Sequence, residues 1–477
     1  MAVAVGPVEA FVASLGLDAY LVGGAVRDEL LGRDSKDADF LVLGMDAAGL
    51  RAALEPHGRV EDLVVAGRPV GLRLFPRDPE LRALVPAGIE FAPPRRERST
   101  GPGRHDFEIV VDPSAGVEDD LRRRDFTVNA MARRLANGDV IDPTGGRADL
   151  EQRILRTVGP RSFAEDPLRL VRGLRLVSQL GFDPDEGTLE QMREEAGAVA
   201  LVSGERIGGG LAADGMGELS RLLLGAEPRR ALRLARDTGV LVALLPEFEP
   251  AIGFDQESRY HDLTVDEHTF AVVQAAADAG DPLRVRLATL FHDLGKPYVA
   301  WRGRDRRLHF YARPGRRDHA EVSAELAATA LKRLRYPTDL RERVTRIIRF
   351  HMLDVGKPDP VRARKLLARY GDGLALDLLA HKEADLLGKG SDGPRDVDEI
   401  ERLRSFRALV ESERQSPHRL SDLAVDGTDL IALGYRPGPE LGQALQKLLA
   451  VVVEQPGLNR RDALLERAEE LLVSSGT

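Results

Sequence analysis

Leu21-Val22-Gly23-Gly24-Ala25-Val26-Arg27-Asp28 and, shortly after it, Lys36-Asp37-Ala38-Asp39-Phe40-Leu41-Val42-Leu43 are the stretches on which the fold turns. The first reads as an apolar strand, a Gly-Gly turn and a helix start. Glycine lets backbone N–H groups approach a phosphate, and a helix N-terminus adds partial positive charge there. Arg27 falls in the first turn, where a guanidinium can pair with a phosphate oxygen. Gly-Gly turns before helices are also ordinary connections, so this stretch alone decides nothing. The second stretch adds chemistry. Residues i and i+2 of a strand share a face, which points Asp37 and Asp39 into one place. Two like charges so close are costly unless a cation sits between them. Two Mg2+ ions about 3.5–4 Å apart can activate a hydroxyl and clamp a leaving pyrophosphate. The plainer alternative is a pair of solvated turn aspartates, and the apolar run Phe40–Leu43 directly after them argues against it.

Further along comes Glu118-Asp119-Asp120-Leu121-Arg122-Arg123-Arg124-Asp125-Phe126-Thr127-Val128-Asn129-Ala130. Consecutive arginines are usually a solvated helix face. Here Thr127, Asn129 and small apolar residues follow, as in a buried polar constellation. Arg124 could hold a triphosphate, with Asp125 and Asn129 reaching a ribose. Gly-Gly-Ala-Val-Arg-Asp, then Asp-x-Asp, then Arg-Arg-Asp-Phe-Thr-Val-Asn-Ala, in this order, resembles the class II tRNA nucleotidyltransferase and bacterial poly(A) polymerase family. The Lys36–Gly44 wording is similar to CCA-adding members with a C-terminal HD domain. The resemblance implies a polymerase-β-like palm, metal ligation by Asp37 and Asp39, and nucleotide contacts from Gly24, Arg27 and Arg124.

Glu165-Asp166-Pro167-Leu168-Arg169-Leu170-Val171-Arg172-Gly173-Leu174-Arg175 has a helix-start proline behind two acidic residues. Arg169, Arg172 and Arg175 step by three and form a slanted stripe. A carboxylate can accept from the exocyclic amine of cytosine, and Arg can donate to base acceptors, so Asp166 with Arg169 can imitate a templating base edge. Arg172 and Arg175 would hold phosphates. Ordinary i,i+3 salt bridges on a capped helix are the competing reading. The resembled family carries its E-D-x-x-R motif here, which selects CTP and ATP without a nucleic-acid template. Ser203-Gly204-Glu205-Arg206-Ile207 matches the start of a later helix of the same region. Gly208-Gly209-Gly210 then departs from the pattern, and glycine inside a helix costs roughly 1 kcal/mol relative to Ala. A loop or hinge is expected there.

Of 10 histidines, His268, His292, His319, His351 and His381 fall in one region. His292-Asp293 follows an apolar helical run, and adjacent His and Asp at a helix end can share one divalent cation. A lone His is more often a satisfied core residue, but several in ligand order are not. The order resembles the HD phosphohydrolase superfamily, whose ligands map onto His268, His292, Asp293 and Asp385, with His319 and His351 at positions used by some members. The resemblance implies phosphatase or 2′,3′-cyclic phosphodiesterase activity. Nitrogen and oxygen ligands suit Mg, Mn, Ni or Fe.

These motifs sit in a chain of 477 residues with Lys+Arg 68, Asp+Glu 77 and net charge −9. That length suggests several domains. We read an α+β polymerase-β-like head over residues 1–150, an all-α neck over 151–255, an HD domain over 256–400 and a C-terminal helical module over 401–477. The run Pro93–Arg104 reads as a mobile loop, and everything after 151 as helical. The absence of Cys excludes disulfides, thiolate metal sites and a Cys nucleophile. No apolar run is long enough for a membrane span, and no signal peptide is evident, so a cytoplasmic location is expected. Residues 301–350 hold 14 Lys/Arg against 6 Asp/Glu, a local +8 that leaves −17 elsewhere. That stretch is equally readable as a solvated face or an RNA track.

The expected activity is addition of C, C and A to a tRNA 3′ end from CTP and ATP, with Mg2+ in the head and a second divalent metal in the HD region. Alternatives are a poly(A) polymerase, an enzyme adding only A or only CC, or an HD phosphohydrolase whose head binds RNA. Ala66-Gly67-Arg68-Pro69-Val70-Gly71-Leu72-Arg73 fits the poly(A) polymerase signature poorly, lacking its aromatic. The sequence does not give the oligomeric state.

Overall fold

The computed structural model describes residues 6–33, 39–65, 68–99, 107–112, 114–209, 215–257, 263–304, 306–311, 317–389 and 397–475. Asp37 lies outside them. The chain divides into two compact units, residues 1–249 with 330–337, and residues 250–329 with 338–477.

The first unit opens on a seven-stranded sheet. Its strands are β1 (Ala19–Val22), β2 (Asp39–Val42), β3 (Gly58–Val65), β4 (Arg68–Pro76), β5 (Ile89–Ala92), β8 (Ala132–Arg134) and β9 (Val140–Ile141), in spatial order β3-β4-β5-β2-β1-β8-β9. A separate hairpin pairs β6 (Arg95–Ser99) with β7 (Phe107–Val111). The stretch expected to be a loop thus contributes a strand at 95–99. Its charged residues hide a backbone that pairs with the apolar run after it, a signal that charge patterning does not carry.

Register, more than strand count, builds the site. β1 runs antiparallel to β2 with Leu21 opposite Phe40, which carries Asp39 to the level of Val22. On its other side Val22 faces Ala132. The Gly-Gly turn, Asp39 and the Asn129–Met131 segment therefore emerge at one end of the sheet. Tyr20, Val22, Leu41, Leu121, Ala130 and Ala132 pack together beneath it.

Beyond the sheet the unit is helical. The Leu168–Leu180 helix buries ten of its residues. Gly173 explains how closely it approaches the head: a Cβ there would lie 2.9 Å from Phe126 Cζ. The expectation of a purely helical chain after 151 fails at two places. Ile154–Leu155 pairs in parallel with Asp183–Pro184, and Trp301–Arg302 pairs antiparallel with Leu308–His309. Two-residue strands lack any period that a sequence reading could detect.

The second unit is built on helices. Val265–Asp278, Leu283–Phe291, His319–Arg333, Thr338–Phe350 and Asp372–Leu387 carry or lead directly into the buried His268, His292, His319, His351 and His381. The last three helices, Gly427–Ala432, Pro439–Glu454 and Arg461–Ser475, form a core of their own around Leu430, Tyr435, Leu448, Val452 and Leu464. Arg364 ties that module to the preceding helices, donating from Nε to the Val453 carbonyl at 2.6 Å and from Nη1 to Glu413 at 2.9 Å. No helix among the described residues is long and apolar enough to cross a membrane.

Candidate functional site

In the head, Gly23 makes the turn with φ of 74° and caps the Gly24–Leu30 helix. Only glycine fits: the positive φ strains other residues, and a Cβ would meet Arg124 Nη1 at 2.6 Å. Arg124 is thereby laid against the turn. Its other partner is Asp120, which receives Arg124 Nη2 at 3.1 Å and also binds Arg123. Burial works against the Asp120 charge, but the two arginines outweigh it and hold the carboxyl below its ordinary range. Arg27 donates to Asn129 Oδ1 at 2.6 Å, and Asn129 Nδ2 donates to Asp125 Oδ1 at 3.2 Å. Arg27, Asn129 and Asp125 are thus one hydrogen-bonded chain, while Arg124 is held on Asp120 beside the Gly23-Gly24 turn.

Asp125 joins head to neck. It is buried, accepts from the Phe126 N–H at 2.8 Å, and pairs through Oδ2 with Arg172 Nε at 3.1 Å. Burial opposes its charge, and Arg172 with these hydrogen bonds overcomes that, so the carboxyl is held low. Asp125 in turn raises the Arg172 guanidinium above its usual value. Arg175 pairs with Glu218 at 2.8 Å. Its own charge is disfavoured by burial, which Glu218 only partly offsets, while Arg172 and Arg27 add repulsion. Several guanidinium groups therefore converge from different segments, as a polyphosphate requires.

The Arg169 N–H donates to the Asp166 carbonyl at 2.9 Å, but their side chains take different partners. Arg206 holds Asp166 through both guanidinium nitrogens, at 2.7 and 3.2 Å. Asp166 also accepts from the Leu168 N–H at 3.1 Å, capping the helix. Arg169 is turned the other way. It reaches the Ser162 carbonyl and hydroxyl, both at 3.1 Å, and the Arg123 carbonyl at 2.8 Å. Arg206 and Glu218 are the partners that sequence reasoning missed. The Ser203–Ile207 motif pointed at Arg206, but a pairing across 40 residues has no local signal.

Asp39 begins β2 and stands in register beside Glu90 of β5. Side chains at paired positions of parallel strands lie on the same face. Glu90 therefore adds a carboxylate near Asp39, itself ion-paired with Arg73.

The second unit gathers the expected HD residues into one buried cluster. His268, His292 and Asp293 form one group of mutually close ligand atoms, and Asp293, His319 and His351 form another. Asp385 joins the first, 3.2 Å from His268 Nε2 and 3.7 Å from His292 Nε2. Asp293 divides its oxygens between the two sides. Oδ2 faces His268 at 3.5 Å and His292 at 3.2 Å, while Oδ1 faces His319 at 3.6 Å.

The outer contacts orient the rings for a metal. Nδ1 of His268 contacts the Gly388 carbonyl at 3.1 Å, that of His292 the Thr289 carbonyl at 2.8 Å, that of His319 the Phe310 carbonyl at 3.1 Å and that of His351 the Ile348 carbonyl at 2.6 Å. A carbonyl only accepts, so each Nδ1 carries a proton and each Nε2 is the nitrogen turned inward, where a metal would take its lone pair. His319 Nε2 and His351 Nε2 then face each other at 3.2 Å. Two lone pairs at that distance repel unless a cation lies between them. The residues therefore fit divalent metal.

Burial disfavours a charged His292, but Asp293 and Asp385 outweigh it and push its pKa up to about 10. Burial drives His351 down to about 3, helped by His319 and His292. Lys296 places its ammonium 2.6 Å from Asp293 Oδ2. His381 is also fully buried beside these rings, and sequence reasoning assigned it no role.

Family models match in the same order. The Poly A polymerase head domain covers residues 19–156, the Probable RNA and SrmB-binding site of polymerase A covers 181–252, and the HD domain covers 265–387. A Multifunctional CCA protein of Xanthomonas campestris pv. campestris is 34% identical over 457 residues, covering 91% of this chain and 98% of that protein. The crystal structure of the Bacillus stearothermophilus CCA-adding enzyme in complex with CTP superposes with a TM-score of 0.65 at 23% identity, covering 98% and 97% of the two chains. A Thermotoga maritima CCA-adding enzyme complexed with tRNA gives a TM-score of 0.55 at 20% identity, covering 98% and 94%. The architecture is that of these proteins: a mixed α+β polymerase-β-like head, an all-α middle with an HD region, and a C-terminal helical module. The chain belongs to the CCA-adding nucleotidyltransferase family, with a poly(A) polymerase-type head and an HD domain.

Proposed function

We propose that this protein adds C, C and A to the 3′ end of tRNA from CTP and ATP, without a nucleic-acid template. The observation that carries the reading is the junction at the sheet end, where the Gly23-Gly24 turn, Asp39 and the Asp125–Arg172 pair lie within one unit. In each cycle the tRNA 3′-oxygen bonds to the α-phosphorus, the bond between the α-phosphorus and the oxygen bridging to the β-phosphate breaks, and pyrophosphate leaves with that oxygen. Asp37 and Asp39 would hold Mg2+, which when bound lowers the pKa of the attacking hydroxyl and neutralises the leaving pyrophosphate. Gly24, Arg27 and Arg124 position the triphosphate, with Arg172 and Arg175 adding cationic support. Asp125 and Asn129 orient the ribose. Asp166 and Arg169 read the base edge once Arg206 releases the carboxylate. We assign the head to residues 1–150, the neck to 151–255, the HD domain to 256–400 and the C-terminal module to 401–477. Such substrates place the protein in the cytoplasm.

The test is incubation of the purified protein with tRNA lacking CCA, with CTP alone, with ATP alone and with both. Growth by three nucleotides only with both supports the reading. Long A-tails, or A added without prior C, contradict it.

A second activity is favoured by the inward-facing Nε2 atoms of the HD cluster. His268, His292, Asp293 and Asp385, with His319 and His351, would hold divalent metal (Mg, Mn, Ni or Fe). Such a centre supplies a nucleophilic water near neutral pH for phosphoester hydrolysis. Metal-dependent hydrolysis of a generic phosphoester, lost on chelation and restored by metal, tests it.

A further inference from the structure

His381 departs from the pattern of its neighbours. It is fully buried on the Asp372–Leu387 helix, one turn before Asp385, so both side chains leave the same face. Its ring centroid lies 5.1 Å from that of His292 and 5.5 Å from that of His351. The ligand rings themselves are spaced alike, with His268–His292 at 5.4 Å and His319–His351 at 5.1 Å. The four ligand imidazoles each anchor Nδ1 on a carbonyl. Neither ring nitrogen of His381 has a hydrogen-bond partner.

A buried imidazole with two orphaned nitrogens weakens the metal-free fold, because both polar atoms lost water and gained nothing. A leucine would fill similar space without that cost. Histidine at this position therefore needs a partner that arrives with the metal. Direct ligation is not the arrangement present, because the two groups of mutually close ligand atoms form without His381. It stands beside one ring from each group, His292 of the first and His351 of the second, with Asp293 shared between them.

We propose that His381 is a positioning residue of the HD centre, which would hydrogen-bond a solvent molecule brought in when the cluster binds metal. This rests on the metal-binding reading of the HD cluster. The residue would fix the orientation of the water or hydroxide that attacks a phosphoester.

The test compares wild type, His381→Leu and His381→Gln in the full chain, metal-free and with Ni2+, which favours imidazole over the head carboxylates. Thermal melts and Ni2+ titrations are read without any substrate. The expected result has opposite signs in the two states. Metal-free His381→Leu melts at or above wild type, whereas its Ni2+ affinity falls about 10–100-fold at unchanged stoichiometry, as for loss of an outer-shell contact. His381→Gln, which keeps a donor and an acceptor, recovers part of that affinity. A metal-free His381→Leu that melts well below wild type with unchanged Ni2+ affinity makes the residue merely structural and overturns the proposal. Loss of one bound ion in His381→Leu makes it a direct ligand and also overturns it. Wild type that binds no Ni2+, like His292→Ala, removes the metal reading itself and is distinguishable from both.

Discussion

The neck and the HD cluster both concentrate charge, but they are finished differently. In the neck every group to which we assign a base or phosphate contact is already occupied by an internal partner: Asp166 by Arg206, Arg172 by Asp125, Arg175 by Glu218 and Arg169 by backbone carbonyls. In the HD cluster the outer nitrogens are tied down and the inner ones gather in two groups that share Asp293. The first arrangement suits a site that must exchange partners, because a salt bridge can be traded for a base or phosphate with little change in charge. The second suits a ligand of fixed geometry, since its cost is prepaid in folding. A site that reads two different bases needs the former, and a metal centre needs the latter.

Removing metal from the HD cluster should give the largest effect on the stability of the second unit. With metal at 100 times its dissociation constant, linkage adds about 2.7 kcal/mol. Chelation should lower the melting temperature, while Arg206→Ala should leave that shift unchanged. Trp301 is the only tryptophan and lies in the second unit, so its emission follows that unit alone.

Arg172→Ala should come next. It leaves Asp125 buried with hydrogen bonds but no counter-charge, at a cost of about 1–3 kcal/mol. Urea denaturation of the metal-free protein measures it. Asp125 and Asp120 also set acid sensitivity. Both carboxyls sit below their ordinary range in the folded state, so the stability they contribute is present above the unfolded carboxyl pKa and is lost as pH falls through the folded one. The first unit should therefore lose stability below about pH 4, and Arg172→Ala should weaken that dependence. A pH titration followed by circular dichroism checks the sign.

Arg206→Ala should be mildest for stability, at about 0.2–1 kcal/mol for a partly exposed pair. Its effect belongs in selection. With Asp166 no longer held in one orientation, discrimination between CTP and UTP should fall, with KM changing more than kcat. Unchanged discrimination would make the bridge a simple clasp and remove the contrast drawn above.

The parts legible in the sequence share a property: their information is local. β1, the Gly23 turn and the helix after it are contiguous, so alternation and glycine placement reveal them. The HD ligands stand out because histidine is scarce and the His-Asp pair is adjacent. What escaped depends on distant partners. The β3–β4 hairpin breaks strand alternation at Glu61-Asp62 and carries Pro69 and Gly71 within β4, so its pairing shows only once the strands meet. Glu218 carries no distinguishing pattern, and the Ser203–Ile207 motif does not say what Arg206 pairs with; each acquires its role only when a distant segment places Arg175 or Asp166 beside it. His381 is a single letter in an apolar helix, and only burial without partners marks it.

The central claim is that one chain carries two independent chemistries. Asp39→Ala and His292→Ala, assayed side by side for nucleotide addition to tRNA and for metal-dependent phosphoester hydrolysis, test it most directly. Asp39→Ala should reduce addition by roughly 10²–10³-fold, as when a group stabilising transition-state charge is lost, and leave hydrolysis within about twofold. His292→Ala should do the reverse. Equal loss of both activities in either variant would contradict two separate sites.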